Sequence, residues 1–221
     1  MSAEPDVHEG WVARDLALEF PALRVAWVTV GAPRAGRSPR ELRERLRLLA
    51  DRFHGARALT MRREPIPAAY RAFFRQVGLD PDVQRTPAEA AALARLMEGG
   101  VPSHGPLADA LTLAVLETGV PVWALDDARV DGPLGLRASE AGERLGEGEL
   151  AADLPAGRVI VADAAGAVAV LFGDVAPSHR PGRATSRLRL FTVAVPGVPE
   201  LHVEEALLEC ADALSGHSAG G

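Results

Sequence analysis

The stretch VPSHGPLADALTLAVLETGVPVWALDDARVDGPLGLR, residues 101 to 137, decides the expected fold because it predicts a helix, two strands and a turn in immediate succession. Apolar residues recur at helical spacing in its first half, and Gly119 is placed to end that helix. Residues 121–125 are too apolar and too few for anything but a buried strand, and residues 134–138 predict a second strand after an aspartate-rich turn. Element ends are where sites are usually built. Three polar residues lie at or near such ends: Asp109, Asp126 and Arg137.

Before this stretch, the sequence predicts two strands and three helices. The strands cover 16–20 and 23–30, and capping boxes with proline at the first helical position predict helices over 39–53 and 87–97. The second of these helices is expected to stop at Gly99-Gly100. Between them, Pro65 and Pro67 are expected to block helix continuation, so the remaining helix is short and amphipathic, from Tyr70 to Gly78.

After this stretch, the sequence is mostly strand. The turn Asp163 to Gly166 predicts a hairpin, and a final helix is expected over 199–214. Helices clustered in the middle favour an α+β fold with largely antiparallel sheets and helices packed outside. Five central strands are expected to share sheet structure: 121–125, 134–138, 158–162, 167–172 and 188–195. The expected organisation is an N-terminal extension over 1–15, a single domain over 16–215 and a disordered tail over 216–221.

The composition is that of an ordinary globular protein. Its 221 residues suffice for one sizeable core, with 48% hydrophobic and 24% charged residues. No apolar run reaches the length of a membrane span, and the first residues contain neither a basic start nor an apolar signal core. The sequence therefore predicts a cytoplasmic protein with no membrane partner; its oligomeric state stays open.

The absence of several common motifs reduces the number of enzyme and cofactor-binding classes to which the protein could belong. A single cysteine, Cys210, excludes an internal disulfide and a cysteine-clustered zinc site, and its helical position predicts inert packing. The chain has no glycine-rich phosphate loop, no H-E-x-x-H and no G-x-S-x-G. The pair Ser103-His104 has no third partner at a recognisable spacing, so it does not predict a nucleophilic triad. No cofactor and no metal are expected.

Charge is distributed unevenly along the chain. All 24 basic residues are arginine, and the net charge is −6. An arginine-rich segment, residues 34 to 75, holds twelve arginines against four acids, whereas residues 111 to 221 hold eight arginines against sixteen acids. Such a chain can present a basic face to a polyanion, or its arginines can pair with the acidic half. The candidate nucleic-acid-binding residues are Arg40, Arg43, Arg47, Arg71 and Arg75.

A family resemblance starts in the opening stretch and extends to both sides of it. Gly119 and Pro121 lead an apolar strand that ends in Asp126, followed by Gly132 and Leu136-Arg137-Ala138. The other matching positions are Tyr70, Arg71, Gly78, Pro81, Arg85, Thr86, Glu89, Leu93, Arg95, Gly99, Gly100, Pro102, Asp109, Gly142, Glu143, Gly157, Asp163 and Phe172. In order and spacing, roughly residues 65 to 195 resemble the aminoacyl-editing module, called B3/B4, of the phenylalanyl-tRNA synthetase beta subunit. They resemble even more the small proteins that consist of that module alone.

The resemblance implies a B3/B4-like fold and, as partners, tRNA or aminoacyl-tRNA or a small amino-acid-like ligand. The candidate substrate-binding residues are His104, Asp109, Thr112, Asp126, Arg137 and Glu143. Asp109 would bond the amino group of an aminoacyl moiety, and Arg137 would face a carboxylate or a tRNA terminal phosphate. Structural alternatives exist for both: an exposed acid in the first turn of a helix, and an arginine paired with Asp126.

The sequence departs from the family pattern at three positions. Thr112 and Val115 stand where the module often has asparagine and serine, and Trp123 stands where the synthetase has a histidine. A mechanism that depends on that histidine does not transfer, and Trp123 is expected to be a core aromatic.

Three functions remain open. The first is an editing-module protein that hydrolyses mischarged aminoacyl-tRNA with a positioned water. The second is a non-catalytic binder of tRNA or of an amino-acid-like ligand that has lost the editing site. The third is a structural protein whose basic helix docks on an acidic partner.

Overall fold

The computed structural model describes residues 5–52, 60–97 and 102–215. The helices of this part are α1 Arg14–Glu19, α2 Arg40–Arg52, α3 Pro65–Gln76, α4 Pro87–Met97, α5 Pro106–Thr118 and α6 Glu200–Ser215. Its strands are β1 His8–Glu9, β2 Trp11–Val12, β3 Arg24–Gly31, β4 Trp123–Asp126, β5 Gly135–Ala138, β6 Arg144–Leu145, β7 Ala152–Asp153, β8 Val159–Ala162, β9 Ala167–Val170 and β10 Arg187–Ala194. None of these helices combines the length and apolar character needed to cross a bilayer.

Most strands belong to two four-stranded sheets. The first has the order β1-β3-β10-β4 and is antiparallel throughout, with β10 paired to β3 from Arg187 to Ala194. The second has the order β2-β5-β8-β9 and is antiparallel except for the β2–β5 pair. The α+β class with mostly antiparallel sheets is therefore confirmed. The five central strands do not share one sheet, because β4 and β10 belong to the first and β5, β8 and β9 to the second.

Helices cover the first sheet in layers. Helix α6 packs on β3 and β10, α5 packs on α6, and α2 and α4 pack on α5. The main cluster of buried apolar residues includes side chains from both four-stranded sheets and from each helix named above. A smaller cluster fills the space between β8, β9 and the β6–β7 ribbon. The main core thus reaches across the boundary between the two sheets.

An aromatic cluster connects α3 to both sheets. Phe172 follows β9, adopts a φ of 55°, and stacks on Phe74 with 5.0 Å between ring centroids. Trp123 on β4 lies 6.1 Å from Phe172 and stacks on Phe191 of β10 at 5.6 Å. Trp123 is therefore a core aromatic, as predicted.

Helix α1 replaces the strand expected over 16–20. Leu16 and Phe20 are buried to 7% and 9% exposure, while Leu18 between them is 72% exposed. A strand would place all three side chains on one face, whereas a helix places only positions four apart together. The prediction was wrong because the spacing of Leu16 and Phe20 fits both a strand and a helix. The helix forms because it buries these two side chains and leaves Leu18 exposed.

The expected block at Pro65 and Pro67 was also wrong. Helix α3 begins at Pro65, and both prolines lie in its first turn. The N–H groups of the first turn have no acceptor within a helix, so proline loses nothing there, and its fixed φ suits the helix. The helix therefore starts five residues before Tyr70.

The segment expected as an N-terminal extension contributes to both sheets. Residues 8–9 pair with β3, and residues 11–12 pair with β5. The backbone N–H of Gly10 between them donates to Val25 O at 2.8 Å. Several expected features lie outside the described residues: Phe53, the stop at Gly99-Gly100 and the tail 216–221.

Cys210 lies on α6 and is fully buried. Burial raises the pKa of its thiol above the ordinary value, with a smaller contribution from the neighbouring Glu209. A buried thiol held protonated behaves as a small apolar side chain, which agrees with the predicted packing role.

Candidate functional site

A cavity of about 430 Å³ lies where three loops meet at one end of the first sheet. The loops are residues 32–36 after β3, residues 104–105 before α5 and residues 181–185 before β10. Leu111 on α5 and Leu188 on β10 also line it. We call this space the His104 cavity. Its apolar lining can hold a hydrocarbon side chain, and the loops around it carry the polar groups.

Three cationic or ionisable side chains belong to the lining of the His104 cavity. Arg34 and Arg183 are exposed and come from two different loops, and His104 is exposed in the third. The first turn of α5 also lines the cavity at Leu107 and Ala108. First-turn amides have no intrahelical acceptor and lie at the positive end of the helix dipole. The rim is therefore suited to an anionic group.

Gly105 lets two of the loops approach each other. It precedes α5 with a φ of 105°, a backbone conformation that L side chains rarely adopt. A Cβ at this position would lie 3.3 Å from the carbonyl oxygen of Gly36. The missing side chain thus permits residues 104–105 and 32–36 to form adjoining parts of one wall.

Asp109 fastens the loops behind this wall. Its carboxylate is 1% exposed and accepts three hydrogen bonds. The donors are the hydroxyl of Ser38 at 2.5 Å, the hydroxyl of Ser103 at 2.5 Å and the backbone N–H of His104 at 2.8 Å. Ser38 precedes α2, so this carboxylate connects α2, α5 and the His104 loop. Asp109 is neither exposed nor in the lining of the His104 cavity.

Asp126 performs a similar task at the end of β4. It accepts a hydrogen bond from the hydroxyl of Thr185 at 2.8 Å and one from the N–H of Ala128 at 3.2 Å. The Thr185 hydroxyl in turn accepts from the N–H of Gly182 at 2.9 Å. Because Thr185 and Gly182 line the cavity, Asp126 holds the third loop in place. Its expected bond to its own turn is present, but its expected pairing with Arg137 is not.

Arg137 pairs with a different acid. Its guanidinium donates to both carboxylate oxygens of Glu143, at 2.8 and 2.5 Å. These hydrogen bonds lower the pKa of Glu143 below its ordinary value, against the opposing effect of burial. Arg137 lines another cavity, beside α1, that shares no residue with the His104 cavity.

The six candidate substrate-binding residues thus fall into separate groups. His104 lines the cavity, and Asp109 and Asp126 hold its loops. Arg137 and Glu143 form a pair elsewhere, so the candidate substrate-binding residues do not together line either of these two cavities. The hydroxyl of Thr112 donates to the backbone oxygen of Ala108 at 2.8 Å, one turn earlier in α5.

The candidate nucleic-acid-binding arginines differ in what they contact. Arg40 and Arg47 are exposed, although Arg40 pairs with Glu44 at 2.8 Å. Arg43 donates to Ser38 O at 3.1 Å and thereby supports the loop that carries Ser38. Arg75 is exposed and lies 3.7 Å from Asp82. These four side chains lie at or near the surface.

Arg71 has a structural role. It is 9% exposed and donates to Asp82 at 2.5 Å and to Glu89 at 2.7 Å. Its hydrogen bond lowers the pKa of Asp82. Glu89 also accepts from the N–H of Thr86 at 3.2 Å, in the predicted capping box of α4. Arg71 therefore ties α3 to the start of α4 and is poorly placed to meet a phosphate.

Arg45 pairs with acids from the acidic half of the chain, residues 111 to 221, which is one of the two outcomes that the charge distribution allowed. It contacts Glu117 on α5 at 2.9 Å, and Glu209 and Asp212 on α6. One arginine of the arginine-rich segment thus neutralises acids that lie far away in the sequence, whereas Arg40 and Arg47 remain exposed.

The sequence did not predict Arg34 or Arg183 as cavity residues. Neither lies in a motif, and both are brought to the cavity by loops. Proximity of Arg183 to the start of a predicted strand was the one available signal. No protein-family model and no curated protein matches the chain.

Proposed function

We propose that this protein is a tRNA-associated module of the B3/B4 type, acting in the cytoplasm, which receives the aminoacylated 3′ end of tRNA in the His104 cavity. One observation carries the proposal: an apolar cavity with a rim formed by Arg34, Arg183 and His104. An aminoacylated tRNA end combines a side chain with nearby phosphates, so it matches an apolar interior and a cationic rim.

The reaction proposed for this cavity is hydrolysis of the aminoacyl ester. Water attacks the ester carbonyl, and the imidazole of His104 accepts a proton from that water. The ester bond to the ribose oxygen breaks, and the ribose oxygen takes up the proton from His104. The amino acid leaves as a carboxylic acid, which releases its remaining proton to solvent and becomes a carboxylate. The hydroxyl of Ser103 donates to Asp109, so a mechanism with water as the nucleophile suits this loop better than one with Ser103.

The arginine-rich segment supports tRNA as the partner because it begins in the wall of the cavity. Arg34 lines the cavity, and the chain continues through Arg37 to α2, where Arg40 and Arg47 are exposed. A nucleic acid entering the cavity by its 3′ end would therefore extend along basic side chains. Phosphate contacts of this kind supply affinity without sequence preference.

A second candidate function is binding of the same end without turnover. Among the described residues that line the His104 cavity there is no carboxylate, and His104 is the one imidazole. Trp123 stands in the aromatic cluster at the position where the synthetase has a histidine. These two features support this second candidate.

Deacylation of a panel of correctly and wrongly charged tRNAs tests the proposal. We expect turnover on at least one mischarged tRNA, its loss in His104→Ala and its retention in His202→Ala, a matched control on α6. Binding of charged tRNA without turnover, weakened by Arg183→Gln, would support the second candidate. Neither binding nor turnover would overturn both.

A further inference from the structure

A second cavity, of about 640 Å³, lies beside α1 and carries chemistry that the proposed function does not use. It is bounded by α1, by the end of α3 and by the start of β8, and Arg137 of β5 contributes to its lining. We call it the α1 cavity.

Acidic side chains come to the α1 cavity from one helix. Asp15 and Glu19 are four residues apart on α1, so they share a helix face, and both are exposed. The C-terminal end of α3 also reaches the cavity, at Gln76 and Val77. The last carbonyl groups of a helix lie at the negative end of its dipole. These groups favour a cationic ligand atom.

Basic side chains come to the same cavity from the second sheet. Arg137 is paired in register with Ile160, and the N–H of Ser139 donates to Arg158 O at 2.8 Å. Arg158 therefore lies two residues along the strand from the partner of Arg137, on the same face of the sheet. Such diagonal neighbours are about 7–8 Å apart at the backbone.

The described acidic and basic side chains that line the α1 cavity do not form ion pairs with one another. Within residues 5–52, 60–97 and 102–215, no ion pair engages Asp15, Glu19 or Arg158. Arg137, in contrast, is neutralised and oriented by Glu143. Opposite charges that line one space without meeting leave room for a ligand that bears both signs.

Between the charged groups the lining is apolar. Leu16 of α1, Phe20 directly after α1 and Leu171 after β9 are buried, with exposures of 7%, 9% and 3%, and each contributes to the cavity surface. A fully solvated ion gains nothing from such a surface, but a ligand with a hydrocarbon group buries it.

We propose that the α1 cavity binds a zwitterion with an apolar body, the chemistry shared by free α-amino acids and short peptides. The ligand carboxylate pairs with the guanidinium of Arg158, and its ammonium group lies against Asp15 and Glu19. Its apolar body covers Leu16, Phe20 and Leu171. This site is separate from the His104 cavity and does not depend on the function proposed for it.

Titration of the full chain with L-leucine and with L-leucyl-L-leucine tests the proposal, by calorimetry or by amide chemical shifts of Gly78 and Gly157. We expect saturable binding of at least one of them at millimolar concentrations, and the tighter of the two distinguishes a free amino acid from a peptide. N-acetyl-L-leucine lacks the cationic end and L-leucinamide lacks the anionic end, so each should bind about tenfold more weakly than L-leucine or not at all. If the dipeptide is the tighter ligand, its acetylated and amidated forms serve as the corresponding controls.

Variants locate the site. Arg158→Gln and Glu19→Gln should each weaken binding about tenfold, which corresponds to about 1.4 kcal/mol. Arg129→Gln, at an exposed arginine outside both cavities, and Arg183→Gln, in the His104 cavity, should leave it unchanged. Because Glu19 is exposed, its variant keeps the test valid if Arg158→Gln fails to fold. Absence of saturable binding, binding insensitive to both site variants, or loss in Arg183→Gln would overturn the proposal.

Discussion

Asp109 shows how one buried side chain can serve a site without lining it. Its carboxylate accepts from Ser38, Ser103 and the N–H of His104, and these donors belong to the loop before α2 and the loop before α5. Of the two hydroxyl donors, Ser38 is buried at 3% exposure and Ser103 is exposed. Loss of the carboxylate therefore leaves the buried hydroxyl of Ser38 without a hydrogen-bond acceptor, whereas the exposed hydroxyl of Ser103 can donate to water.

We predict that Asp109→Ala lowers the free energy of unfolding by about 1–3 kcal/mol, the usual cost of one buried unsatisfied donor. Urea denaturation measures this change. The matched control is Asp174→Ala, whose side chain is 86% exposed and whose ion pair with Arg180 spans 3.7 Å; it should change stability by less than about 0.5 kcal/mol. Equal stability of the two variants would show that Asp109 does not hold the loops.

The Arg137–Glu143 pair predicts a pH dependence. The hydrogen bonds from Arg137 lower the pKa of Glu143 in the folded state, whereas the unfolded value stays near the ordinary one of about 4.3. The unfolded state then binds more protons, so this contribution is present above the unfolded pKa and is lost as pH falls through the folded pKa. Protonated Glu143 resembles glutamine.

The stability difference between the wild type and Glu143→Gln should therefore be largest near neutral pH and shrink as the pH drops below about 4. Urea denaturation at a series of pH values measures it. Glu147→Gln, at an exposed neighbouring glutamate, is the matched control for the substitution itself. A constant difference for Glu143→Gln would mean that the pair contributes nothing to folding.

At the scale of elements, the N-terminal strands β1 and β2 connect the two sheets through a close approach. A Cβ at Gly10 would lie 2.2 Å from the carbonyl oxygen of Leu134 and 2.5 Å from Val25 Cγ1. A Cβ at Gly135 would lie 2.0 Å from ring atoms of Trp11. The nearest obstacle is a backbone oxygen in the first case and the Trp11 side chain in the second, so the two sites should respond differently to removal of the Trp11 ring.

We predict that Gly10→Ala and Gly135→Ala each destabilise the protein by about 1–3 kcal/mol, the usual cost of overpacking. Adding Trp11→Ala should recover part of the loss in Gly135→Ala, because the ring leaves, but none of the loss in Gly10→Ala. Thermal and urea denaturation compare them with Gly31→Ala, where a Cβ would meet nothing within 4 Å. Rescue of Gly10→Ala by the tryptophan variant would contradict this account.

At the scale of the whole molecule, charge separation is only partly cancelled by folding. Arg45 meets Glu117, Glu209 and Asp212 of the acidic half. Arg37, Arg40 and Arg47 are exposed in the chain that leads away from the His104 cavity. A net charge of −6 therefore coexists with a local basic surface, which is what binding of a polyanion by an acidic protein requires.

If tRNA binds there, its affinity should fall steeply with salt, and replacing Arg37, Arg40 and Arg47 by glutamine should flatten the log–log slope by about 2–3 units. Filter binding over a range of salt concentrations measures the slope. A triple variant of exposed arginines outside the segment, Arg129, Arg144 and Arg180, is the matched control and should leave the slope unchanged. Salt-independent binding, or equal effects of both triple variants, would end the nucleic-acid interpretation.

The sequence alone determined the local elements wherever one period and one stop signal agreed. The helix that ends at Gly119, the hairpin at residues 163–166 and the capping box of α4 at Thr86 and Glu89 were all predicted correctly. Each depends on contacts between residues a few positions apart, which composition and spacing encode directly. Where the helical and the strand period both fitted, as at Leu16 and Phe20, the local pattern could not decide between a helix and a strand.

Only the tertiary structure decided which polar residues meet. Asp126 bonds Thr185, 59 positions away, and Asp109 bonds Ser38, 71 positions away. Arg34 and Arg183 reach one cavity from loops that no motif marks. These contacts follow from the pairing of β3 with β10 and the packing of α2 on α5, which bring distant loops to one end of a sheet. Spacing along the chain does not encode contacts between residues so far apart in sequence. The cavity and its rim could therefore be identified only from the tertiary structure.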